Sequence, residues 1–88
     1  MASYRIEVYW PGLTRDDVDD LVDRMVGATQ HGTPGVTYVG CEVAPRDETI
    51  SLRVTAGDEA AVAALAAGLQ LPDARVAAVL DVPPPGRR

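Results

Sequence analysis

The stretch VTYVGCEVAPRDETISLRVT, residues 36–55, decides the fold class because it places two short β patterns on either side of a polar turn. In TISLRVT, Ile50, Leu52 and Val54 alternate with polar residues, which is typical of a half-buried strand. VTYVGCEV is a second strand pattern, and APRDE between them is a turn of proline and charge. Because the connection is short, we expect the two strands to form an antiparallel hairpin.

The period-two pattern also assigns the residues of the first hairpin strand to two faces. The residues predicted to point inward are Thr37, Val39, Cys41 and Val43. The residues predicted to point outward are Val36, Tyr38, Gly40 and Glu42.

Outside the hairpin, a strand and a helix precede it, and a helix and a strand follow it. YRIEVYW (4–10) alternates cleanly, and an amphipathic helix is predicted from Arg15 to about Gln30, with Thr14 as N-cap and Gly32 as C-cap. Asp58 is a candidate N-cap for an alanine-rich second helix that ends before Pro72, and ARVAAVLDV (74–82) is the last strand. The order β-α-β-β-α-β predicts an α+β ferredoxin-like plait, a four-stranded antiparallel sheet with both helices on one face.

The length of 88 residues predicts one domain, which we place at residues 1–82. Residues 83–88, PPPGRR, cannot continue a sheet ladder and are predicted to form an extended, mobile C-terminal tail. The longest apolar run, at 60–71, is too short to span a bilayer.

The net charge indicates which classes of partner are disfavoured, and the cysteine content bears on the cellular location. The net charge of −5 disfavours phosphate backbones and anionic membrane surfaces, so neither nucleic acid nor membrane is predicted as a partner. The single cysteine cannot form an internal disulfide, and no signal peptide is recognisable, so a cytoplasmic location is predicted.

The sheet face away from the helices is the predicted functional surface. Tyr9, Tyr38, Glu42 and Arg53 are assigned to this face as candidate ligand-binding residues. A small domain with such a mixed face is predicted to bury it in a homodimer, enclosing a cavity, although a solvated antiparallel sheet would need no partner.

Two of these side chains have competing interpretations. Glu42 on the open face is a candidate metal ligand or general base, or else an ion-pair partner of Arg5 or Arg53. His31, in the loop after the first helix, is a second candidate metal ligand, or else a solvated histidine.

Cys41 and the aspartates of the first helix are predicted to be structural. Cys41 lies roughly 17 Å along its strand from the loop that holds His31, so the two are not expected to share a metal within one chain, and Cys41 is interpreted as a small core residue. The Asp-rich helix face cannot wrap a calcium ion and is interpreted as a solvated surface.

Three phrases of the chain, YRIEVYWPGLT, VTYVGCEVAPRDETISLRVTAGDEAAV and GLQLPDARVAAVLDV, resemble small actinobacterial plait proteins. That largely uncharacterised family includes a nickel-binding member. The resemblance implies a ferredoxin-like dimer and a divalent metal, nickel or another, held by histidines and carboxylates. This sequence has only one histidine, so His31 and Glu42 are the positions that the resemblance nominates.

Two functions are therefore predicted as alternatives. The first is a small dimeric binding protein that holds a divalent metal ion or a small metabolite at the open sheet face. The second is a cofactor-free dimeric plait enzyme of the isomerase, cyclase or monooxygenase type, using the same polar residues in an enclosed pocket. A structural partner without a ligand is a third interpretation.

Overall fold

The computed structural model describes residues 1–32, 35–71, 73–80, 82 and 85–86. Four strands form one antiparallel sheet in the order β2-β3-β1-β4. The strands and helices, in chain order, are β1 (Ala2–Tyr9), α1 (Arg15–Gly27), a π-helical turn (Ala28–Gly32), β2 (Val36–Ala44), a 3₁₀ turn (Pro45–Asp47), β3 (Thr49–Ala56), α2 (Glu59–Gly68) and β4 (Arg75–Val79).

This architecture confirms an α+β fold with a four-stranded antiparallel sheet and two helices, and it is consistent with a ferredoxin-like plait. The observed order differs from the plain β-α-β-β-α-β prediction by the two short helical turns that flank β2. The first of them replaces the end of the predicted first helix. There the Thr29 hydroxyl donates to the Met25 carbonyl at 2.8 Å, and α1 ends at Gly27 instead of about Gln30.

Both helices begin at the predicted caps. The Thr14 side chain accepts from the Asp17 backbone N–H at 3.1 Å, while the Asp17 carboxylate accepts from the Thr14 N–H at 3.0 Å, which forms a capping box. The Asp58 carboxylate accepts from the Ala61 N–H at 2.9 Å. Each cap satisfies amide groups that have no partner inside the helix, so the sequence fixes where α1 and α2 start.

One core lies between the sheet and the two helices. Leu21 and Met25 of α1 and Val62 and Leu65 of α2 belong to the same buried cluster. The strand residues of that cluster are Tyr4, Ile6, Val8, Val36, Ile50, Leu52, Val54 and Ala56. Both helices therefore cover one face of the sheet, and the opposite face is left open.

A β-bulge in β2 corrects part of the face assignment made from the sequence. Tyr38 pairs with Val54 and Gly40 pairs with Arg53, so Val39 is an extra residue that shifts the alternation by one. Tyr38 lies opposite the core residue Val54 and packs against the core, not on the open face as predicted. Cys41, opposite Leu52, points to the helix side as predicted.

The same bulge changes three further assignments. Val39, predicted to point inward, is the extra residue and is 57% exposed. Val36 is buried and pairs with Ala56, although it was predicted to point outward. Thr37 pairs with Thr55 and is exposed, although it was predicted to point inward. A strict period of two therefore holds in β2 only on each side of the bulge.

Two further sequence predictions concern the absence of a membrane-spanning segment and the C-terminal tail. Within the described residues, no helix is long and apolar enough to cross a membrane. The predicted tail, 83–88, lies mostly outside the described residues; of it, only Pro85 and Gly86 are described, and both are exposed.

Candidate functional site

The strand register arranges the polar side chains of the open face in rows across the sheet. In one row, Gly40 lies opposite Arg53, and Arg53 lies opposite Arg5. In the next row, Glu42 lies opposite Ser51, and Ser51 lies opposite Glu7. Residues opposite each other on one face lie close enough for their side chains to interact, so β2, β3 and β1 bring these groups together.

These two rows form a shallow cleft of about 190 Å³ on the open face. The residues that line it are Arg5, Val39, Gly40, Cys41, Glu42, Ser51 and Arg53. The bulge contributes to its shape because Gly40, next to the extra residue, has no side chain. A Cβ atom at Gly40 would meet no other atom within 4 Å, so the space beside it is open.

The cleft concentrates positive charge in a protein of net charge −5. Arg5 and Arg53 lie directly opposite each other on antiparallel strands, an arrangement of like charges that costs free energy unless negative charge is nearby. Glu42, at the edge of the same cleft, supplies one carboxylate. Two guanidinium groups on adjacent strands offer the forked donors that bind carboxylates and phosphates in a bidentate manner.

The structure brings together two of the four predicted ligand-binding residues. Glu42 and Arg53 both line the cleft. Tyr9 lies on the open face opposite Thr49 and is 59% exposed, but it is one row beyond the Glu7 row and does not line the cleft. Tyr38 lies on the other side of the sheet.

The surroundings of Tyr38 change the pKa of its phenol. Burial raises the pKa of the Tyr38 phenol to about 12, and the neighbouring Cys41 thiol adds to this shift. The neutral phenol of Tyr38 is partly buried and packs against the core. Cys41 itself is half-buried and packs against the core.

The two predicted metal ligands are far apart within the chain. His31 lies in the π-helical turn before β2 and is exposed, whereas Glu42 follows Val36, the first residue of β2, by six residues or roughly 20 Å of extended strand. Over the described part of the chain, no group of three or more His, Cys, Asp or Glu side chains is placed to hold a metal ion. Two arginines at the cleft also disfavour a divalent cation there, so within one chain these residues do not fit nickel.

Sequence reasoning missed Gly40 and Ser51 as parts of the site and named Arg5 only as a possible ion-pair partner of Glu42. The alternation of their strands places Arg5 and Ser51 on the open face, but their closeness depends on the register between β1, β3 and β2. The signal that could have found the cleft is Gly40 itself, because a glycine inside a strand pattern often marks a bulge.

No protein-family model matches the chain, and no curated protein or solved structure gives a significant match to it. The resemblance to actinobacterial plait proteins with a nickel-binding member therefore stays a prediction. The function rests on the geometry of the chain alone.

Proposed function

We propose that this protein is a small dimeric binding protein that holds an anionic small metabolite, carrying a carboxylate or phosphate group, at its open sheet face. The observation that supports the proposal is the pair Arg5 and Arg53, opposite each other across β1 and β3 at the edge of the cleft. An anion bound between them would receive charge-assisted hydrogen bonds from their guanidinium groups.

The other lining groups suit a ligand that is more than a bare anion. Ser51 offers a hydroxyl that can donate or accept, and Glu42 offers an acceptor for a ligand hydroxyl or amine. Val39, which is 57% exposed, offers apolar contact at the rim. A hydroxy acid or amino acid has this combination of groups, so it is the chemical class that the cleft suits best.

The dimer is proposed because the cleft is shallow and the face around it is uncovered. A second copy laid sheet to sheet would cover the ligand and bury Tyr9 and Val39, two large exposed side chains of this face. Such an isologous interface would supply two clefts related by a two-fold axis. Sedimentation equilibrium tests this step: we expect a dimer for the native chain and a shift to monomer for Tyr9→Asp.

Ligand binding is tested by isothermal titration calorimetry with citrate and with inorganic phosphate as probes. We expect one site per chain, and an affinity that falls about tenfold or more in Arg5→Gln and in Arg53→Gln because each loses a charge-assisted contact. Arg75→Gln is the matched control, since Arg75 lies on the same sheet face opposite Glu7 but does not line the cleft. Equal losses in all three variants, or no binding of either probe, would contradict the proposal.

Two alternatives are separated by further titrations. Native mass spectrometry with added nickel tests the metal prediction: uptake of a fixed number of ions by a dimer, abolished in His31→Ala, would favour it over the anion site. The enzyme prediction needs Glu42 as a general base in a pocket closed by the dimer. An enzyme would keep its substrate affinity but lose turnover in Glu42→Gln, whereas a binding protein would show a change in affinity alone.

A further inference from the structure

A second concavity, on the opposite side of the sheet, is larger than the cleft. It lies between α1, the loop after β1 and the edge strand β2, and its volume is about 610 Å³. We call it the α1–β2 groove; the residues that line it are Gly12, Leu13, Thr14, Arg15, Val18, Asp19, Val22, Cys41, Val43, Pro45 and Glu48. Its volume falls in the range typical of ligand sites.

The groove exists because small apolar side chains meet where α1 covers the edge strand. Leu21 and Met25 are fully buried, but Val18 and Val22 of the same helix are only half-buried. Val43, opposite Ile50 on the helix side of β2, is 39% exposed. Val18, Val22 and Val43 therefore leave apolar surface facing solvent between α1 and β2.

The loop wall of the groove is held firmly. The Glu48 carboxylate accepts from the Gly12 N–H at 2.7 Å, and the Glu48 carbonyl accepts from the Trp10 N–H at 2.6 Å. Glu48 adopts a left-handed conformation, φ 52°, to make both bonds. The groove is therefore a formed surface whose wall is tied to the β2–β3 hairpin.

The rim of the groove is acidic. Glu48 and Asp19 lie at its edges, and the neighbouring exposed face of α1 carries Asp16, Asp20 and Asp23. Arg15 offsets one of these charges through its ion pair with Asp19 at 3.0 Å. An occupant of complementary chemistry is apolar along its length and basic at one end.

The C-terminal sequence of the same chain, LDVPPPGRR at 80–88, has this chemistry. Leu80 and Val82 are 86% and 78% exposed, consecutive prolines favour the extended polyproline conformation that apolar grooves bind, and Arg87 and Arg88 follow the prolines. We propose that the α1–β2 groove binds the C-terminal segment 80–88 of a second copy of this chain, with the leucine and valine on its apolar floor and the arginines towards the aspartates of α1.

The position of the segment in the sheet explains why the occupant comes from a second copy. Val79, at the end of β4, pairs with Ser3, whereas Val43 lies in the row of Val8, about 17 Å along the sheet and three strand spacings, about 14 Å, across it. The groove is on the helix side, so the chain would have to pass over both helices. Leu80 follows Val79 directly and cannot reach its own groove.

The native cysteine of the groove provides the test. Pro85→Cys adds a thiol to the segment, and the full-length variant is oxidised with copper–phenanthroline and digested for mass spectrometry. We expect an intermolecular disulfide between residues 41 and 85 as the main product, giving a covalent dimer on non-reducing gels. An intramolecular 41–85 disulfide, or dimers linked only through 85–85, would overturn the proposal.

Further variants test whether the apolar floor of the groove and the two arginines of the segment direct formation of the 41–85 disulfide. In the Pro85→Cys background, Val43→Asp places a charge on the apolar floor, and we expect the 41–85 product to fall about tenfold, while Ala63→Asp, on the exposed face of α2, leaves it unchanged. Arg87→Glu with Arg88→Glu should lower it about three- to tenfold by reversing two charges. Equal yields in all variants would mean random collision and would overturn the proposal. Circular dichroism of each variant shows that it is folded.

Discussion

The two faces of the sheet are built from the same strands but obey different rules. On the helix side, Ile6, Leu52 and their neighbours are fully buried, and the side chains are held by packing. On the open side, Arg5, Arg53 and Glu42 are exposed, and their arrangement is set by register and charge. One face therefore specifies the fold, whereas the other can vary and is available for binding.

The largest effect is expected from a change on the helix side. Leu52→Ala removes a fully buried side chain at the centre of β3 and should lower the free energy of unfolding by about 2–5 kcal/mol. Thr55→Ala, on the open side of the same strand, should change it by less than about 1 kcal/mol. Urea unfolding followed by circular dichroism measures both, and similar losses would mean that the open face is also packed.

How far the sequence alone predicts these faces depends on the strand. In β1 and β3 the alternation of Ile6, Val8, Leu52 and Val54 with polar residues is unbroken, so the predicted faces are confirmed. The N-caps Thr14 and Asp58 were also predicted correctly, because an N-cap bonds only to residues two or three positions further along the chain. The fold therefore follows from short-range patterns.

The site was less predictable because it depends on long-range register. The extra residue Val39 reverses the faces of Val36 and Tyr38 relative to Cys41, and Gly40 signals a bulge without deciding which neighbouring residue is the extra one. Likewise, the pairing of Arg5 with Arg53 joins residues far apart in sequence and is fixed only when β1 and β3 align. Sequence reasoning therefore found the right face for Glu42 and Arg53 but not the cleft they share.

Tyr9 and Tyr38 were predicted to share a face, but the structure places them on opposite faces, so their replacement should have different effects on stability. Tyr38→Ala removes a ring that packs against the core and should lower the free energy of unfolding by about 1–3 kcal/mol. Tyr9→Ala, at 59% exposure, should cost less than about 1 kcal/mol in the monomer. Chemical denaturation at low protein concentration is the measurement, and a larger loss for Tyr9 would reverse the face assignment.

Ionisation of Tyr38 should make the helix side sensitive to alkali. Its pKa of about 12 is above the ordinary value of 10.0, so the folded state holds this proton more tightly than the unfolded state. The resulting stability is fully present below pH 10.0 and is lost as the pH rises towards 12. Thermal unfolding across this range should show a steeper decline for the native chain than for Tyr38→Phe, and identical slopes would count against the buried phenol.

The smallest effect on stability is expected at Gly40, on the open side, where the effect on binding should be large. A side chain at this position meets no atom within 4 Å, and the backbone there does not require glycine, so Gly40→Val should leave the free energy of unfolding within about 1 kcal/mol of the native value. The valine would occupy the space beside Arg53 and should lower the affinity for citrate or phosphate about tenfold. Calorimetric titration with both probes, beside a urea melt, separates the two effects. If Gly40→Val bound the probes as tightly as the native chain, the anion would not bind in the cleft beside Gly40, and the proposed site would be wrong.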